Sequence, residues 1–288
     1  MSKIALVMSE GGVRCAYSVG AILALVEKYN LTQPDFVIGA SGSTGTLAYF
    51  TAGQYESIKN IWENLLCTKN FISLARFWRI MDIDYLIDQI FKKQDPLNIN
   101  AIKSSSVGLY IMLTDSETGE SKYFAQTDID IFEALRASNA MPVFFNKSVI
   151  INGRPFIDGA LSFHLEDGIK LAKDLGAEKI IAINNKNESL KGILSYWIYA
   201  IFQKTKIRQA MLKNRPKFEH DKSVFLLNGC KKIPIGTLDN DQKRIKETIK
   251  LGYEDVANNQ NLQEFLKNLP PKTKISYDFA SGFRPLKT

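Results

Sequence analysis

The sequence predicts an α/β fold with a mainly parallel central sheet. Short apolar runs bounded by glycine or polar turns recur along the N-terminal half, as buried strands do. The first two runs are separated by a segment of helical spacing, which makes a βαβ unit. The chain of 288 residues is 45% hydrophobic and 23% charged, an ordinary globular composition with enough length for one large α/β domain.

Ile4-Ala5-Leu6-Val7-Met8 reads as a buried strand, and Gly11-Gly12 breaks it. From Tyr17 to Tyr29, Val19, Ile22, Leu23 and Val26 fall at helical spacing while Glu27 and Lys28 are polar. Residues 35–38 form a second short strand, followed by a Gly/Ser turn and a helix over about 46–52. Residues 55–93 look helical and aromatic-rich up to Asp95-Pro96. Residues 107–114 and 121–124 read as two strands joined by a turn over 115–120. A short helix over 131–139 is stopped by Pro142. Residues 148–151 and 154–157 bracket Asn152-Gly153, a strong hairpin signal. A helix over 166–175 has Gly176 as its C′ residue, and 179–183 is another buried strand.

After Asn187 the texture changes. Residues 192–213 are aromatic and apolar, then basic. Residues 223–227 form a late strand and 241–257 a long polar helix. No repeat and no low-complexity linker divides the chain. The expectation is one domain over 1–288, with a core over about 3–186. The remainder, 187–288, is a helical, basic extension with one late strand.

Composition narrows the function classes. Cys15, Cys67 and Cys230 are far apart and form no CxxC or metal-ligand spacing. No disulfide framework, metal or cofactor is expected, and a reducing compartment such as the cytoplasm fits. The N-terminal apolar run is too short for a secretory segment. The run over 192–202 is too short to span a bilayer. The net charge of +7 suits an anionic membrane surface, and equally a solvated basic surface. No RRM, zinc-finger or helix-turn-helix signal points to nucleic acid.

Three short segments carry chemistry. Ser9-Glu10-Gly11-Gly12-Val13-Arg14 lies between a strand and a helix. Paired glycines let backbone N–H groups approach a ligand, and a helix N-terminus adds positive potential. That suits an anion or oxyanion site, though a tight turn satisfies the same pattern. GxGxxG and the P-loop's terminal Lys-Ser/Thr are absent. The second segment, Gly39-Ala40-Ser41-Gly42-Ser43-Thr44-Gly45, follows a strand and opens a helix, as a nucleophile elbow does. It misses GxSxG by one position whether Ser41 or Ser43 is taken as the nucleophile. The third is Asp158-Gly159-Ala160 at a strand end, which by itself also suits a turn. A serine nucleophile needs a base. The chain has only His164 and His220, both in settings that suit packing or surface residues. A carboxylate in hydrogen-bond contact with the hydroxyl can take the proton instead.

Together these segments resemble the patatin-like phospholipase family. The family's oxyanion loop is roughly Ser-Gly-Gly-Gly-x-Arg-Gly, to which Ser9-Glu10-Gly11-Gly12-Val13-Arg14-Cys15 is similar. Asp35, Gly39 and Ser41 match the family elbow's spacing. Asp158-Gly159-Ala160 is similar to its catalytic Asp-Gly-Gly/Ala, and Ala137-Ser138-Asn139-Ala140-Met141-Pro142 to its Ala-Ser-x-Ala-x-Pro. The resemblance covers about residues 3–186 and extends weakly to about 260. It implies a three-layer sandwich and hydrolysis of phospholipid or lysophospholipid esters by a Ser41–Asp158 dyad. It also implies an oxyanion hole of backbone N–H groups at Gly11, Gly12, Val13 and Arg14. A lipid substrate and peripheral contact with a membrane surface follow.

The departures matter. Glu10 replaces a loop glycine, and its carboxylate opposes a developing oxyanion unless it points away or pairs with Arg14. Cys15 and Ser43 replace further glycines; Cys15 reads as a packing residue. A non-catalytic lipid-binding or regulatory module is therefore the alternative. Residues 192–215 combine Leu194, Trp197, Ile198, Ile201 and Phe202 with Lys204, Lys206, Arg208, Lys213 and Arg215. Residues 71–90 include Phe77 and Trp78. Each stretch suits a core or lid helix first and an interfacial helix second, and the two readings are not exclusive.

Overall fold

The computed structural model describes residues 2–77, 79–185, 199–201, 203–218, 220–229 and 231–267. One sheet comprises β1 (Ile4–Met8), β2 (Phe36–Ala40), β3 (Gly108–Asp115), β4 (Ser121–Ala125), β5 (Val149–Ile151), β6 (Arg154–Asp158), β7 (Lys179–Asn184) and β8 (Val224–Asn228). Its order is β5-β6-β3-β2-β1-β7-β8, with β4 pairing β3 off that path. The run from β3 through β2, β1 and β7 to β8 is parallel. β4, β6 and β5 add antiparallel pairs at one side.

Strand alternation sorts the core into two faces. Ile4, Leu6 and Met8 of β1 pack in the larger cluster, with Val37, Leu109, Ile111, Leu113, Ile181 and Ile183. Ala5 and Val7 pack in the other, with Ile38, Ala40, Met112, Ile180 and Ala182. The larger face is covered by α1 (Ala16–Tyr29), α2 (Ser43–Thr51), α3 (Tyr55–Asn60, continued by a π-helical turn over Ile61–Leu65), α4 (Ile83–Tyr85, continued by Leu86–Gln94), α5 (Ile99–Ser104) and α6 (Ile131–Ser138). The second face takes α7 (Leu165–Asp174), which aims Leu165, Ile169 and Ala172 at the sheet. The chain ends its described part with α8 (Thr205–Met211), α9 (Gln242–Ala257) and α10 (Gln260–Leu266). Helix, sheet and helix make the expected three-layer α/β sandwich.

Most expected elements are present with ends shifted by a few residues. The hairpin turn has positive φ at both Asn152 and Gly153, a type I′ geometry. Three differences affect the site. α2 begins at Ser43 rather than near 46, so the elbow turn is tighter than expected. β6 runs through Asp158, which fixes that residue on the sheet. Residues 55–93 are not one helical stretch: residues 66–82 leave it, and an antiparallel bridge joins Ile72 to Met81. Asp82 ends the excursion by capping α4, its side chain accepting from the Tyr85 N–H at 2.9 Å.

The long polar helix is a core element. α9 buries Ile245, Thr248, Ile249, Gly252 and Val256 against α1. Of the expected interfacial stretch over 192–215, Leu194, Trp197, Ile198 and Phe202 lie outside the described residues, as does Trp78. Arg215 is not a membrane-facing cation. Its side chain is only 6% exposed, and its Nε bonds Asp167 at 2.5 Å while Nη2 donates to the Ser162 carbonyl at 2.8 Å. No helix among the described residues is long and apolar enough to cross a membrane.

Candidate active site

Ser41 sits between β2 and α2 with φ at 57°, a left-handed conformation that a serine holds only under constraint. The constraint is visible. Its N–H donates to Ser138 Oγ at 3.0 Å, and Ser138 Oγ donates to the Met112 carbonyl at 2.8 Å. The Ser41 hydroxyl donates to Asp158 Oδ2 at 2.9 Å. Asp158 Oδ1 accepts from the Ala160 N–H at 2.8 Å, and Thr114 Oγ1 donates to the Asp158 carbonyl at 2.8 Å. The pair expected from sequence is thus in hydrogen-bond contact across 117 residues of chain.

Ser43 is placed differently. Its buried hydroxyl donates to the Ala40 carbonyl at 2.8 Å and accepts from the Ala40 N–H at 3.2 Å. It is spent on the backbone of the turn. Burial raises the Asp158 carboxyl to about 7; its bonds from Ala160 and Ser41 oppose the rise, and the charge of Glu10 adds to it.

The Ser9–Arg14 loop lies against this elbow. A Cβ on Gly42 would come within 2.6 Å of the Gly12 carbonyl oxygen, so glycine there permits the contact. The four expected oxyanion donors are not equivalent. The Val13 N–H is donated to the Thr237 carbonyl at 3.1 Å, and the Arg14 N–H to Gly11 O at 3.2 Å. The Gly11 and Gly12 amides bond no acceptor among the described residues. Arg14 Nε also turns back to Gly11 O, at 3.4 Å. Glu10 lines the same cavity as Ser41 and Asp158, and its charge acts on Asp158. Cys15 is fully buried, and that burial pushes its thiol far above the ordinary range, as expected of a packing residue.

The Ser41 hydroxyl is bonded to Asp158 and not to a histidine, although His164 lines the same cavity. His164 precedes α7, where its N–H donates to Asp167 Oδ2 at 2.9 Å and its Nδ1 lies 2.8 Å from the Phe163 carbonyl. His220 is exposed. No group of three or more His, Cys, Asp or Glu among the described residues could hold a metal ion.

A cavity of about 830 Å³ opens from the serine. Glu10, Gly11, Gly12, Arg14, Ser41 and Asp158 form its polar end. Tyr49, Ile58, Ile61, Trp62, Leu86 and Phe91 form apolar walls. Trp62 satisfies its ring N–H on Thr46 Oγ1 at 3.0 Å, leaving the cavity an apolar indole wall. A few convergent polar groups at one end of an apolar cavity suit a ligand with one polar reacting centre and a hydrocarbon body.

Two features escaped the sequence reading. Asn185 follows β7 and binds the Ser9 loop; Thr237 comes from the late segment and closes on Gly12 and Val13. Neither belongs to a local motif, so only long-range contact reveals them.

Fold and site together define a class: an α/β sandwich with a serine on a strand-to-helix elbow, held against a buried carboxylate. The chain belongs to the patatin-like phospholipase family, whose pattern matches residues 6–165, more than half its length. It is 25% identical over 187 residues to the uncharacterized protein YjjU of Escherichia coli strain K12, a match covering 63% of this chain and 51% of that one. The chain thus spans about half the length of the curated relative it matches. The crystal structure of VipD from Legionella pneumophila superposes with a TM-score of 0.55 at 13% identity, over 93% of this chain and 67% of VipD. That likeness shows the fold alone.

Proposed function

We propose that this chain is a serine acyl hydrolase that cleaves carboxylic esters of phospholipids or lysophospholipids. The observation that carries the reading is the 2.9 Å contact between Ser41 Oγ and Asp158 Oδ2 at the polar end of an apolar cavity. Ser41 Oγ attacks the ester carbonyl as Asp158 takes its proton. The carbonyl oxygen becomes an oxyanion held by the Gly11 and Gly12 amides, while Val13 and Arg14 shape the loop. Loss of one such donor typically costs about 2.7–4 kcal/mol of barrier. Collapse expels the alcohol, which takes the proton from Asp158 and leaves acyl-Ser41. Asp158 then draws a proton from water, which attacks the acyl carbon; the acyl–Oγ bond breaks, Asp158 returns its proton to Ser41 Oγ, and the fatty acid leaves.

A fluorophosphonate probe tests this by labelling. Wild type and Ser43→Ala are labelled, Ser41→Ala is not, and Asp158→Ala loses ester hydrolysis. Labelling that survives Ser41→Ala overturns the assignment of the nucleophile. The position of Glu10 in the cavity favours one other reading, a lipid-binding module without turnover. Liposome binding with no hydrolysis and no labelling of wild type would establish it.

Peripheral contact with a membrane surface belongs to the same proposal. Leu74 and Phe77 are 73% and 76% exposed on the 66–82 excursion, whose Phe71 and Met81 line the cavity. Such residues suit insertion among lipid headgroups.

A further inference from the structure

Asn185 is fully buried at the end of β7, outside the stretch that matches the family. Its backbone N–H donates to Ser9 Oγ at 2.7 Å. Its side-chain Nδ2 donates to the Ser9 carbonyl at 2.8 Å and reaches Cys15 Sγ at 3.5 Å. Its Oδ1 accepts from the Ser18 N–H at 3.2 Å and from the Ser18 hydroxyl. One side chain therefore ties together the start of the Ser9–Arg14 loop and the first turns of α1. The Asn185 Cβ also packs under Gly11, where an added Cβ would come within 3.1 Å of it.

The Ser9 N–H bonds the Ile183 carbonyl at 3.0 Å, continuing the β1–β7 ladder. Beyond Ser9 that ladder ends, and the Asn185 side chain replaces it. Gly11 and Gly12 follow within three residues, each with little intrinsic conformational preference. Without an external tie, amides on such a loop sample many orientations, and an oxyanion hole works only when its donors are fixed beforehand.

We infer that Asn185 is the positioning residue that orients the Gly11 and Gly12 amides toward the oxyanion; this rests on the hydrolase reading above. Asn185 does not touch the reacting atoms. The amide is the one side chain of this size that both donates to Ser9 O and accepts from the Ser18 N–H. Asn185→Asp keeps the shape and the acceptor but loses the donor and adds a buried charge. Asn185→Ala removes both contacts.

The test compares hydrolysis of a soluble short-chain ester by wild type, Asn185→Ala, Asn185→Asp and Ser9→Ala. Ile181→Ala, in the core of β7, is a control for lost stability. A positioning role lowers kcat about 10- to 100-fold in both Asn185 variants with KM within about twofold, because the loop acts on the transition state. Affinity for a trifluoromethyl ketone, which forms a tetrahedral adduct, falls in parallel with kcat. Ser9→Ala, which removes the hydroxyl that the Asn185 N–H binds, lowers kcat by a smaller factor. Ile181→Ala lowers Tm but keeps kcat per folded molecule. Unchanged kcat in the folded Asn185 variants, or an equal loss of kcat in Ile181→Ala at equal loss of Tm, overturns the inference. If neither Asn185 variant folds, Ser9→Ala decides: wild-type kcat there overturns it. A wild type without hydrolysis or probe labelling instead removes the hydrolase reading itself, so the two failures are told apart.

Discussion

Asp158 is surrounded by groups that act on its charge in opposite directions. Burial lifts its carboxyl from 3.8 to about 7, and Glu10 pushes the same way. A general base works ionised, so kcat/KM for a soluble ester rises with pH through a midpoint near 7. Glu10→Gln removes a like charge and moves that midpoint to lower pH. A pH–rate profile that is flat between pH 5 and 9 would contradict both statements. The same group sets a stability slope. Because the folded value lies above the unfolded one, its contribution is full below about pH 4 and is lost as pH rises to about 7. Asp158→Asn abolishes hydrolysis and flattens the fall in Tm between pH 4 and 7. Thermal melts of the two proteins across that range check it.

The 66–82 excursion is the element whose character changes most between sequence and structure. Its aromatic and apolar content reads as helix, yet the chain folds it as an anchored loop. The Ser73 N–H bonds the Ile80 carbonyl at 2.9 Å, and Arg76 Nη2 caps the carbonyls of Lys69, Asn70 and Phe71 at 2.9–3.2 Å. Arg76 also pairs with Asp82 at 3.5 Å. Phe71, Ile72 and Met81 turn inward while Leu74 and Phe77 turn outward. Burying one large apolar side chain contributes about 1.5–3 kcal/mol. The double variant Leu74→Ser/Phe77→Ser therefore lowers hydrolysis of vesicle-bound substrate at least about tenfold. It leaves hydrolysis of a monomeric short-chain ester within about twofold. Equal losses on both substrates would assign these residues to the fold instead of the interface.

At the scale of the molecule, the late segment is built into the core and into the site. A Cβ on Gly20 would lie 1.8 Å from the Ile249 carbonyl oxygen, and one on Gly252 2.0 Å from that of Tyr17. The two glycines let α1 and α9 touch backbone to backbone. Gly252→Ala forces the helices apart, at a cost of about 1–3 kcal/mol or more. That is several degrees in Tm for a chain of this size. Thermal circular dichroism reads it, and an unchanged Tm would show that α9 is only loosely applied. Thr237, reaching Val13 from the same segment, ties this packing to the Ser9 loop.

Local periodicity made much of the fold legible. β1, α1, β7 and the Asn152-Gly153 hairpin all stand where apolar spacing and turn chemistry put them, because those signals act over a few residues. Ser41 and Asp158 were legible as a strand-to-helix turn and a strand end. Their 2.9 Å contact required β2, β3 and β6 to be neighbours, which sheet order decides. The choice of Ser41 over Ser43 as the hydroxyl facing Asp158 came from the turn's hydrogen bonds, which the near-symmetric motif left open. Asn185, Thr237 and the inward face of α9 were illegible for the same reason. Their partners lie far along the chain, and polar atoms find such partners only after strand order and helix packing have brought them together.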